Sequence, residues 1–196
     1  GFFSVFSLRL LIMVLFSAIP FLNNLTQELP LFAKNLTLLA NKLSLDLDAY
    51  QTDHISLRCH DLALAEQWRN GLSQCGECIS DNMINGRPIY LFKLASPLTL
   101  LGQQISIVEL PYPTDKKYQY QGWEHIEQVI NVAPEKLVEK VMTLLPHPLP
   151  EGIKIKISEP KAEKERLPNP TVAITDGIVT IKYHPYSLLK IVESEC

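Results

Sequence analysis

Apolar residues recur at three- and four-residue steps from Phe21 to Leu45 (Phe21, Leu22, Leu25, Leu29, Phe32, Leu36, Leu39, Leu43), which predicts helix. Pro30 lies inside that run, lacks an N–H and crowds the preceding turn, so two helices divided there are expected. At Gln51 the period changes. His54, Ser56 and Arg58 alternate with Ile55, Leu57 and Cys59, as on a strand with one apolar face. Helical spacing returns over Asp61–Leu72. Strands follow at Cys78–Met83 and Arg87–Leu94, joined by an Asn85-Gly86 turn, and again at Gln103–Leu110 before Pro111 and Pro113.

The order then repeats. His125–Ile130 reads as a strand, Pro134–Leu145 as a helix opened by proline, and Gly152–Ser158 as a strictly alternating strand. A charged loop, EPKAEKERLPNP, covers Glu159–Pro170. Strands Thr171–Thr175 and Ile178–Tyr183 meet at an Asp176-Gly177 turn, and Ser187–Glu193 ends the chain as a helix. Strand–helix–strand–strand–strand thus occurs twice, in an α+β chain: a helical segment over residues 1–50, one βαβββ module over 51–121 and a second over 122–196. Each module opens on the same short motif, Asp53-His54-Ile55 and Glu124-His125-Ile126.

That repeat is where chemistry enters. On a strand, His54, Ser56 and Arg58 share one face, as do His125 and Glu127. A polar face in an otherwise buried strand needs solvent, partners or a metal. Two modules packed about a pseudo-twofold axis would bring His54 and His125 into one cavity, with Glu109 of SIVELP the nearest carboxylate. Two imidazoles and a carboxylate suit Zn, Ni, Fe(II), Mn or Co. Glu127 is a candidate catalytic base, with a fourth ligand or a partner for Arg58 as its other roles. Arg58, Arg87, Arg166 and Lys182 are candidates to hold an anionic substrate. Cys75-Gly76-Glu77-Cys78 is a lone CxxC spanning a helix end and a strand start, which argues against a redox motif.

Composition narrows the partners. With 196 residues, 46% hydrophobic and 20% charged, the chain is long enough for one domain with a sizeable core. A net charge of −3 advertises no nucleic-acid face. Four cysteines are too few for a disulfide scaffold at this length, so a cytoplasmic setting is expected. The first 22 residues carry a single charge, Arg9, before the apolar run Leu10–Phe16, the pattern of a signal peptide or membrane anchor. The alternative reading takes Met13 as the natural start and sets Gly1–Ile12 aside from the fold, with no membrane partner.

The stretches DHISLRCH, NMINGRPIYLFKL, SIVELPYP, GWEHIE and ERLPNPT…TDG…TIKYHP resemble the bacterial YecM family, from about residue 20 to the C-terminus. That family is similar in fold to the vicinal-oxygen-chelate superfamily, which includes glyoxalase I. The resemblance implies paired βαβββ modules forming a cupped mixed sheet around a divalent metal. It implies His54 and Glu109 as the ligands of one module and His125 as the first ligand of the other. The fourth corner should lie in TIKYHP, where the superfamily's second acid is missing and only Tyr183 or His184 is offered. The implied activity is that of a metal-dependent enzyme, isomerase-like or an Fe(II) oxygenase, acting on a small keto acid, hydroxy acid or diol. A non-catalytic protein that binds a small anion or metal in the same cup is the alternative. One chain carries both modules, so a monomer is expected.

Overall fold

The computed structural model describes residues 14–159 and 167–194. The N-terminal alternatives for Gly1–Ile12 and the candidate Arg166 fall outside those ranges. Among the described residues, no helix is long and apolar enough to cross a membrane.

Two short 3-10 turns, Phe16–Ala18 and Pro20–Leu22, lead into helix α1, Asn23–Lys42. Pro30 does not divide this helix. Leu25, Phe32, Leu36 and Leu39 form one continuous buried stripe, while Pro30 is exposed on the opposite side. Burial along that stripe outweighs the missing backbone hydrogen bond, a cost of about 3 kcal/mol. Trp123 ties α1 to the sheet, donating from Nε1 to the Leu25 carbonyl at 2.8 Å.

The remaining elements are β1 (Thr52–Arg58), α2 (Leu62–Cys75), β2 (Gly76–Ser80), β3 (Met83–Ile84), β4 (Arg87–Leu100), β5 (Gln103–Pro111), β6 (Gly122–Val129), α3 (Leu137–Leu144), β7 (Lys154–Ser158), β8 (Thr171–Thr175), β9 (Thr180–His184) and α4 (Leu188–Glu193). Asp61 caps α2, its side chain accepting from the Ala63 N–H. Strand β4 is longer than the pattern predicts, running through Pro97 to a Leu101-Gly102 turn in which both residues have positive φ. Its register with β5 shifts between Lys93 and Leu98, and that irregularity lets Pro97 sit in the strand.

All nine strands join one sheet in the order β2-β4-β5-β1-β6-β9-β8-β7, with β3 paired to β4. The order is symmetric about its centre. Strands β1 and β6 pair antiparallel, and each also pairs parallel with the last strand of its own half, β5 or β9. Outward from there the pairing on both sides is antiparallel. Ile55, Leu57, Ile126, Ile181 and Tyr183 belong to one buried apolar cluster with α1, α2 and α3. His54, Ser56, His125, Glu127, Lys182 and His184 project from the other face. There α4 covers one end through Leu188, which packs on Leu91 and Ile107.

Candidate metal centre

Two β-bulges build the site. On β1, Thr52 pairs with Gln128 and His54 with Glu127, so Asp53 is the extra residue. On β6, Ser56 pairs with His125 and Leu57 with Trp123, so Glu124 is the extra residue. A bulge breaks the alternation of faces and re-aims the side chain it carries. Both extra residues are acids, and each acid turns back onto the histidine that follows it.

Asp53 Oδ2 lies 3.0 Å from His54 Nδ1 and accepts the Leu188 backbone N–H at 2.9 Å. Glu124 Oε2 contacts His125 Nδ1, while its Oε1 accepts from Arg58 Nη2 and Thr180 Oγ1, both at 2.9 Å. With Nδ1 held, each ring presents Nε2 to the cleft. Carboxylate–imidazole pairs of this kind fix tautomer and orientation in metal sites.

Glu109 sits between the two rings. Its Oε2 is 4.0 Å from His54 Nε2 and its Oε1 3.8 Å from His125 Nε2. Ser56 steadies it, donating to Oε1 at 2.8 Å. The ligand atoms of His54, Glu109 and His125 all lie within 4.8 Å of one another, so the three could hold one metal ion. Bonds of about 2.0–2.2 Å allow two donors on one ion to be at most about 4.4 Å apart. The glutamate–histidine separations already meet that limit. His54 Nε2 is fully buried, with Glu127 Oε2 2.5 Å away. Two imidazole nitrogens and a carboxylate oxygen facing one point are a donor set that fits a divalent ion.

Charge in this cluster is finely divided. Burial pushes the His54 pKa down, but Glu127 and then Asp53 outweigh it, so the imidazolium persists well above its ordinary range. Burial likewise raises Glu127, and the His54 charge overrides it, holding the carboxyl well below the usual carboxylate range. Asp53 is lowered against its burial by His184 and His54, and Glu124 by His125, Arg58 and Lys182. Without metal, His54 is a cation pinned between two anions. A second group, Asp53, His54 and His184, is also close enough for an ion. Asp53 there already serves His54 and Leu188, and His184 Nε2 stands 3.6 Å from it.

The cleft over this cluster encloses about 600 Å³. Arg58, Arg87 and Lys182 line it with Glu109, Glu127 and His184. Arg58 is committed to Glu124 and lies over the Tyr118 ring, 4.5 Å from its centroid, so it braces the site more than it faces a substrate. Arg87 donates to the Tyr112 carbonyl at the rim. Lys182 enters no hydrogen bond or ion pair among the described residues.

The fourth corner is not Tyr183. Matching Pro111 with Pro185 places Tyr183 opposite Glu109, but the register differs: Glu109 pairs with Ser56, two residues after His54, whereas Lys182 pairs with Glu127, two residues after His125. The counterpart of Glu109 is therefore Lys182. Tyr183 points into the helical core, its ring edge-on to Tyr50 at 6.1 Å, with burial pushing its phenol pKa up. His184 stays on the cleft face beside Asp53. Both CxxC cysteines are free of any disulfide, and burial raises Cys75 to about 11, which keeps it a thiol.

Asp53 and Glu124 are the residues that strand alternation hides. Their signal was the repeated acid–His–Ile itself, since an acid written before each histidine has a reason only if both reach the same side.

Comparison with known proteins gives a consistent family. The family model described as YecM protein matches residues 22–195. Protein YecM of Escherichia coli (strain K12) is 52% identical over 177 residues, covering 89% of this chain and 94% of that protein. An uncharacterized protein of Haemophilus influenzae is 41% identical over 176 residues, covering 86% and 92%. A solved structural-genomics structure, described as Protein EC4020, superposes with a TM-score of 0.88 at 48% identity, covering 94% of this chain and 98% of that one.

Proposed function

The chain belongs to the YecM family, and we propose that it is a divalent-metal-dependent enzyme acting on a small oxygenated anion. The observation that carries this reading is the convergence of His54, Glu109 and His125 within 4.8 Å. Each imidazole there has its Nδ1 held by its own acid. The symmetric strand order supports reading the two halves as βαβββ modules of the vicinal-oxygen-chelate kind, with the triad between them. A divalent ion held by these three residues would supply a Lewis acid to two adjacent oxygens of a keto acid, hydroxy acid or diol.

The chain's own residues divide the remaining work. Asp53 and Glu124 keep both Nε2 atoms aimed inward. Ser56 orients Glu109. Glu127 is the base in this reading: its carboxylate lines the cleft beside the triad, 2.5 Å from His54 Nε2, where it can reach the carbon next to a bound carbonyl. Lys182 supplies the positive charge that draws an anionic substrate, and Arg87 adds to it from the rim. All of these groups come from one chain, so a monomer suffices.

Proton exchange in heavy water tests this reading. With Mn²⁺ or Zn²⁺ present, the protein should catalyse deuterium incorporation next to the carbonyl of 2-oxoglutarate, followed by NMR. Glu127→Gln should abolish exchange while keeping the metal. Metal and ligand binding without exchange in the unsubstituted protein would make it a binding protein instead.

A further inference from the structure

Beyond the triad, the cleft holds a second polar pocket on its β7–β8–β9 side. The register aligns Lys156 with Ala173 and Ala173 with Lys182 across those strands. Alternate residues of a strand share a face, so both lysines stand on the cleft side with only the methyl of Ala173 between them. One row along, Ser158 pairs with Thr171. Among the described residues the Thr171 Oγ1 and Asn169 Oδ1 atoms are buried without a hydrogen-bond partner, and both residues line the same cleft as the lysines. Lys156 and Lys182 enter no ion pair among the described residues. The acids near this end are Glu127, in register with Lys182 on the neighbouring strand, Glu124, whose charge Lys182 also favours, and Glu159, at an exposed position on the rim.

A buried hydroxyl without a partner is uncommon, and beside two lysines outside any ion pair Thr171 Oγ1 can donate to an anion, while Asn169 Oδ1, an acceptor, can take a bond from a lysine ammonium. Symmetry sharpens the point. The structural counterpart of the metal-facing Glu109 is Lys182, a cation. One half of the sheet thus presents a ligand for a cation where the other presents a ligand for an anion. The cleft volume of about 600 Å³ also exceeds what two adjacent oxygens on a few carbons would fill.

We infer that the natural substrate carries two separated oxygen-rich groups: adjacent oxygens that face His54, Glu109 and His125, and a terminal carboxylate or phosphate held by Lys156, Lys182 and Thr171. The first half of this statement rests on the proposed metal site; the second half does not. Adjacent strands lie about 4.8 Å apart, so the Lys182 and His54 backbones, two strands apart, are roughly 10 Å from each other. A lysine side chain spans part of that gap, leaving room for a linker of two to four carbons.

Calorimetry with three probes on metal-loaded protein tests it: pyruvate, which offers adjacent oxygens alone; 2-oxoglutarate, which adds a distal carboxylate; and 4-phosphoerythronate, a 2-hydroxy acid that carries a distal phosphate. At least one two-headed probe should bind tenfold or more tightly than pyruvate, and which one does so separates carboxylate from phosphate. Lys182→Met and Lys156→Met should each erase most of that advantage, Lys182→Arg should retain it, and pyruvate binding should change little in Lys156→Met. Inorganic phosphate with chelator-treated protein provides a metal-independent arm, in which binding should be lost in Lys182→Met. Phosphate binding that depends on Lys182 in a protein that takes no metal would uphold the anion pocket and reject the metal reading. Metal binding with all three probes equal, or a preference untouched by the lysine substitutions, would overturn the pocket and leave the metal reading standing.

Discussion

Asp53 and Glu124 each do one thing, and the rest of the site depends on it. Each holds the Nδ1 of the next residue, so His54 and His125 can offer only Nε2 to the cleft. Asp53→Asn and Glu124→Gln should therefore weaken metal binding by about 10–100-fold, measured by competition with a chromogenic chelator, without removing any ligand. Glu124→Gln should also lower stability, because Arg58 loses its ionic partner. Strand alternation gives these acids no place on the histidine face, so the hydrophobic pattern alone does not reveal them. His54, Glu109 and His125 were legible because two histidines at equivalent points of a repeat have few reasons to exist other than meeting.

At the scale of elements, most strands and helices follow from period alone, and three departures have separate physical causes. Pro30 is one of them. Its pattern predicts a break, yet the buried stripe of α1 carries the helix through. Since Pro30 is exposed and the residue there would otherwise donate a helical hydrogen bond, Pro30→Ala should stabilise the protein by about 1–3 kcal/mol in chemical denaturation, with metal binding unchanged. The bulges are another. They are single-residue irregularities that no hydrophobic count reveals, and they decide which residues share the site. The end of β9 is the third. Aligning its terminal proline with that of β5 points to Tyr183, whereas backbone register assigns the corner to Lys182; a shift of one residue exchanges the core face for the cleft face.

Across the whole molecule, the central pair β1 and β6 concentrates ionisable groups that folding holds away from their ordinary pKa values. Asp53, Glu124 and Glu127 are lowered, so their stabilisation is present above the unfolded carboxylate range of about 4 and is lost as pH falls through the folded values. His54 is raised, so its contribution is complete below about pH 6.5 and is lost as pH rises through its folded value. Chelator-treated protein should therefore melt highest between roughly pH 4.5 and 6.5 as far as these groups decide it. Added metal should remove the alkaline decline, since the ion takes the place of the His54 proton. Melting curves across pH, with and without Zn²⁺, would show whether the two profiles separate above neutrality.

The most direct test of the metal centre is calorimetric titration of chelator-treated protein with Zn²⁺ and Mn²⁺, beside His54→Ala and His125→Ala. One ion per chain should bind the unsubstituted protein with release of protons, and each substitution should abolish stoichiometric binding, because two remaining donors rarely hold a divalent ion tightly. No binding by the unsubstituted protein, or equal binding by both variants with a large loss of stability, would make His54 and His125 structural residues and contradict the account.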